Sequence, residues 1–182
     1  MDKMTNVSEL EMLALWKQVM RVEPVRRECV VERDDGIDLD AFLLTHLRQW
    51  YAHLLLTAPL EWVSVEDMSA DVMLTADDEG VVTAVKPERY VRAVEWKLAG
   101  WAHSVTRFLA PDDAQAVLQR SLWTRGGPCR PAIVEHYDRL ELFSVKPGAS
   151  PVLLMARCVA VPAEGRYVLH QDALSTLPRW PL

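Results

Sequence analysis

The apolar periodicity of this chain changes at Pro59, and that change sets its fold class. Upstream of Pro59, apolar residues recur at helical spacing. In residues 8–22, SELEMLALWKQVMRV, they are Met12, Leu13, Trp16, Val19 and Met20. Ser8 and Glu11 have the S-x-x-E spacing of a capping box, and Pro24 ends the segment. Residues 23–37 carry mixed charges and Gly36, and read as a linker with a short extended piece, CVVE. A second helix is predicted to start near Asp38 or Asp40, both good N-caps that suit the positive end of the helix dipole. Phe42, Leu43, His46, Leu47, Trp50 and Leu54 lie on one of its faces.

Downstream of Pro59 the period becomes that of strands. ADVMLT and VVTAVKP flank a charged turn with Gly80 and read as a hairpin. RYVRAVEWKL and WAHSVTRFL flank Ala99-Gly100 and read as a second. Val94, Trp96 and Leu98 alternate with Glu95 and Lys97, which gives the first arm one buried face. PDDAQAVLQRSL, residues 111–122, reads as a short helix, because Pro111, Asp112 and Asp113 favour a helix start. PAIVEH and RLELFSV make a third hairpin. VLLMARCVAV, residues 152–161, is a nearly continuous apolar run and therefore a central strand. DALSTL reads as a last helical turn. The class is α+β: N-terminal helices, then an antiparallel β-sheet or sandwich of hairpins with one inserted short helix. By domains, residues 1–37 are an N-terminal helix and linker. Residues 38–182 are an α+β domain, with a long helix over 38–57, a β-rich part over 60–170 and a C-terminal tail.

A net charge of −6 over 182 residues argues against broad nucleic-acid binding, which needs a basic face. Seven tryptophans are many for this length, and some are expected at an interface. The three cysteines, Cys29, Cys129 and Cys158, are odd in number with no CxxC, which suits reduced thiols. The N-terminus lacks an apolar signal core, and no apolar run approaches the ~20 residues of a membrane helix. A protein made and used without secretion is expected.

No constellation carries strong chemistry. His46 and His53 stand two turns apart, too far to share a metal without help, and read as structural. RDDGIDLD, residues 33–40, does not follow the spacing of a calcium loop. Cys129 follows Gly-Gly-Pro with Arg125 and Arg130 nearby. Positive neighbours would favour a thiolate, but a base such as His103 or His136 would have to come from the fold. TRGGPCR offers backbone N–H groups and arginines to an anion, yet it lacks the Lys-Ser/Thr ending of a P-loop. Its glycines and prolines read first as the entry to the third hairpin.

The order of features from Val81 to Pro162 carries a resemblance. VVTAVKPERYVRAVEWKL is a strand, a proline-marked turn and a strand with V-x-x-V rhythm. A helical insert follows. TRGGPCRPAIVEHYDRLELFSVKPG then supplies a G-x-P loop, a strand, a basic turn, an L-x-L strand and a proline, and the last apolar strand ends in VAVP. This order resembles the head-to-tail connector (tail tubular, or gateway) proteins of tailed bacteriophages. The first aromatic after the G-x-P loop comes only at Tyr137, later than in that family. The resemblance implies a non-enzymatic structural protein in a ring between portal and tail, in the virion or the bacterial cytoplasm. Its partners would be further copies of itself and portal or tail proteins, with nucleic acid only passing through the ring. It implies no catalytic residues, cofactor, metal or small-molecule substrate. Trp123, Arg125, Arg130 and Trp180 are the candidate interface residues. Two alternatives stay open: a bacterial accessory protein that binds a partner through a β face, and a small thiol-dependent enzyme.

Overall fold

The structure is a computed structural model that describes residues 4–19, 39–148 and 150–178. In chain order its elements are β1 (Met4–Val7), α1 (Glu9–Val19), α2 (Leu39–Thr57), β2 (Val65–Asp67), β3 (Leu74–Ala76), β4 (Val82–Val85), β5 (Tyr90–Leu98), β6 (Phe108–Leu109), α3 (Ala114–Gln119), β7 (Ile133–Glu135), β8 (Arg139–Leu142), β9 (Leu153–Ala160) and β10 (Tyr167–His170). The class is α+β. The chain forms two compact units, Met1–Ser64 with Val161–Leu182, and Val65–Ala160. The division expected at 37/38 falls outside the described residues, and the helices on either side of it belong to the first unit. Cys29, Gly36, Asp38, Trp180 and the CVVE piece also lie outside the described residues.

In the first unit the capping box forms as its spacing predicts. The Ser8 N–H donates to Glu11 Oε2 at 2.7 Å, and the Glu11 N–H donates to Ser8 Oγ at 3.4 Å. Of the expected stripe on α1, Met12, Leu13 and Trp16 are buried, Val19 is exposed, and Met20 is outside the described residues. On α2 the buried face is Leu43, Leu47, Tyr51, Leu54 and Leu55, so Phe42 is not in the core as expected. It is exposed and packs edge-on against the half-buried His46 instead, at 4.5 Å between ring centres. Strands β1 and β10 pair antiparallel, with Asn6 opposite Val168, although about 160 residues of chain separate them. No local pattern announced this pair. The Tyr51 hydroxyl donates to the Val168 carbonyl at 3.1 Å and accepts from its N–H at 3.0 Å.

The second unit contains two sheets, ordered β2-β9-β5 and β3-β4-β8-β7-β6. The hairpins β3-β4 and β7-β8 are antiparallel and form where expected, although β3 covers only the last two residues of ADVMLT and extends into the expected turn at Ala76. The first turn is tightened by Asp77, whose Oδ1 accepts from the N–H groups of Glu79 and Val81. Gly80 completes it at φ 78°, where an added β-carbon would meet the Val145 carbonyl at 2.4 Å. Strand β9 is central to its sheet, as its apolar run requires.

The middle hairpin is a correction. Strand β5 pairs along its length with β9 rather than with the residues that follow it. The chain does turn at Gly100, but it returns through a single bridge, Trp96 to Val105. Phe108 and Leu109 then enter the other sheet as β6, parallel to β7. The long apolar β9 offers β5 partners from Tyr90 to Leu98, across three register shifts, which outweighs a short local return. Trp96, Leu98, Ala156 and Cys158 from one sheet share a core with Val82, Ala84, Ile133, Leu140 and Leu142 from the other. A smaller cluster, Leu109, Ala116, Val134 and Phe143, places α3 against Val134, which is neighbour in sequence to Ile133 and faces the other way. Helix α3 is capped by Asp113, which accepts from the Gln115 N–H at 2.8 Å. Among the described residues no helix is long and apolar enough to cross a membrane.

Candidate functional site

The loop from Ser121 to Pro131 connects α3 to β7, and its shape is built by its own backbone. Gly126 is required there, because an added β-carbon would stand 2.2 Å from the Arg130 carbonyl. Gly127 has no neighbour within 4 Å and is not so constrained. The Arg130 N–H closes a turn on the Gly127 carbonyl at 2.7 Å. Ser144, just past β8, donates its hydroxyl to the Gly126 carbonyl. It is the one described non-glycine residue at positive φ, 72°, a conformation that costs on the order of 1 kcal/mol and needs such a tether.

Arg125 is the loop's internal brace. Its Nε donates to the Gln119 carbonyl at 2.8 Å and its Nη1 to the Glu79 carbonyl at 2.5 Å. Its guanidinium also lies 5.4 Å from the centre of the Phe143 ring. These contacts fix the loop to the β3-β4 turn and to the end of α3. Arg130 and Cys129 are exposed. Trp123 is 96% exposed. Beside it in sequence, Val117, Leu118 and Leu122 are each at least half exposed. The sequence marked Trp123 but not these three. Their signal was present as apolar residues on and just after a helix too short to bury more than one side: Val117 and Leu118 lie on α3, of which Ala116 alone is buried, and Leu122 follows it.

The densest set of charged groups lies elsewhere in this unit and joins its two sheets. The Tyr90 hydroxyl on β5 donates to Glu135 Oε1 on β7 at 2.5 Å. Lys86 Nζ sits 2.9 Å from the same carboxylate, 4.8 Å from the Tyr90 ring centre, and donates to the His136 carbonyl. Burial, then the Glu135 carboxylate, push the Tyr90 hydroxyl well above its ordinary pKa, so it stays a donor. His136 Nε2 is 3.0 Å from Glu141, whose other oxygen takes Arg139 at 3.2 Å. Lys86 with Glu135 and Arg139 with Glu141 are paired charges, which is the arrangement of a structural clamp. His136, which the sequence offered as a base for Cys129, is thus engaged with Glu141.

In the first unit, Glu9 and Arg48 form a two-point ion pair at 2.7 and 2.9 Å. The Arg48 contact holds the Glu9 carboxyl below its ordinary range, although burial works against it. The pair borders a cavity of about 270 Å³ floored by Tyr51, Leu55 and Tyr167, with the two tyrosine rings 4.7 Å apart. Among the described residues no three His, Cys, Asp or Glu side chains come together to hold a metal ion. His53, which reads as structural in the sequence, is exposed.

No protein-family model matches the chain, and no curated protein or solved structure matches it significantly.

Proposed function

We propose that this chain is a non-enzymatic assembly protein of a tailed phage or prophage, a subunit of the ring between portal and tail. The observation that carries the reading is the run of exposed apolar side chains along one stretch of chain, Val117, Leu118, Leu122 and Trp123. A tryptophan 96% exposed, close in sequence to three exposed aliphatic residues, suits a contact made on assembly. The feature order from Val81 to Pro162 supplies the phage context by resemblance. In this reading Trp123 is the anchor, Arg125 holds the loop that presents it, and Arg130 meets an acidic surface.

Native mass spectrometry of the full chain with and without the portal protein of the same phage or prophage tests the reading. Binding of several copies to the portal ring is expected. A chain that stays monomeric and never joins a portal ring overturns it. A bacterial accessory protein binding through the same surface is the second reading, favoured if the chain captures a non-virion partner through Trp123.

A further inference from the structure

Two adjoining cavities in the second unit share Leu109, Gln115, Pro131 and Ala132. One, about 270 Å³, extends past Thr106 and Arg107, and the other, about 560 Å³, past Gln119, Arg125 and Arg130. Their combined walls hold three arginines and no carboxylate. That is a strong local bias in a chain with 26 acidic against 20 basic residues. Arg107 is 3.5 Å from Asp113, just outside the walls. Arg125 spends its donors on carbonyls, which leave its formal charge in place. Among the described residues, no carboxylate meets the Arg130 guanidinium. Among the described residues, Arg107 alone of the three has a carboxylate partner, so the charges of Arg125 and Arg130 stand unneutralised in the cleft, among the amide side chains of Gln115 and Gln119. Such a wall suits an acidic peptide, whose carboxylates take charge-assisted hydrogen bonds from arginine.

The chain itself contains such a peptide. Residues 32–38, ERDDGID, carry four carboxylates against one arginine. The other acidic run, Asp77 to Glu79, is less suited, because Asp77 is spent on its own turn. A ring requires one patch to meet a different patch on the next copy. We propose that the cleft of one copy receives the acidic segment 32–38 of a second copy, with Arg130 as the principal contact. The inference rests on the assembly reading above and names its complementary pair.

The test is a titration of a labelled peptide of residues 31–38 into the full-length chain and into the full-length D34N/D35N variant. Arg130 is exposed, so Arg130→Glu is expected to fold, and its thermal melt checks this. Saturable binding is expected, weakened at least about fivefold by Arg130→Glu and weakened by raising salt from about 0.05 to 0.5 M. No binding, or equal binding to the Arg130→Glu chain, overturns the proposal. Equal affinity for the unmodified and D34N/D35N chains is expected. Tighter binding to D34N/D35N that persists unchanged as the chain is diluted would mean that a copy fills its own cleft, which overturns the assignment to a second copy. Run on the dissociated chain, the titration reads the cleft without requiring rings. Portal-bound rings that form undiminished with Arg130→Glu would leave the assembly reading standing and remove this inference.

Discussion

The backbone carbonyl of Arg130 occupies the space that a β-carbon on Gly126 would need, 2.2 Å away. The contact is backbone to backbone, so no flexible side chain can yield. Gly126→Ala is expected to destabilise the second unit by about 1–3 kcal/mol, the usual range for forced overpacking. Gly127→Ala, one residue on, has open space and is expected to change stability by less than about 0.5 kcal/mol. Paired thermal melts of the two variants check this contrast.

Tyr51 uses one hydroxyl to satisfy both the N–H and the C=O of Val168. Tyr51→Phe keeps the buried ring and its contact with Tyr167 but removes both bonds. The expected cost is about 1–2 kcal/mol, the range for partly buried backbone groups losing a partner. Chemical denaturation followed by circular dichroism reads it. A loss confined to amide protection around β10 would place the effect in the first unit.

What could be read in the sequence was what is local. The capping box at Ser8 and Glu11, the hairpin around Asp77–Gly80 and the apolar β9 each carry their cause within a few residues. The pairing of β1 with β10 does not, because Met4 and His170 meet from opposite ends of the chain. Strand β5 shows the limit inside the β-rich part. Its alternation predicts a strand with one buried face, but nothing in it selects β9 over the residues after Gly100. The loop at 121–131 was partly legible. Its glycines marked a turn, and Gly126 alone proves to be required. The internal bonds of Arg125 and the carboxylate-free cleft depend on Gln119, Glu79 and Phe143 arriving from three other places.

Stability is expected to fall at alkaline pH. Burial pushes the Cys158 thiol from 9.0 up to about 11, and burial with the Glu9 carboxylate pushes the Tyr167 hydroxyl from 10.0 up to about 12. A raised folded pKa means that the native state holds its proton more tightly than the unfolded chain. Stability is therefore complete below pH 9 and declines as pH rises through 11. Cys158, fully buried, accounts for a loss on the order of 2 kcal/mol across that interval. Denaturant melts at pH 8 and pH 11 measure it, and Cys158→Ala is expected to lessen the difference.

The most direct measurement concerns Trp123. Its side chain is 96% exposed, so Trp123→Ser is expected to leave the melting temperature within about 1–2 °C of the parent chain. As the anchor of an assembly contact it is expected to contribute about 2 kcal/mol or more to association, roughly a thirtyfold loss on removal. The decisive experiment compares Trp123→Ser with the parent chain for association with portal rings, by native mass spectrometry. A folded variant that fails to join the ring is the expected result. A folded variant that joins as well as the parent would contradict the assembly role of this surface.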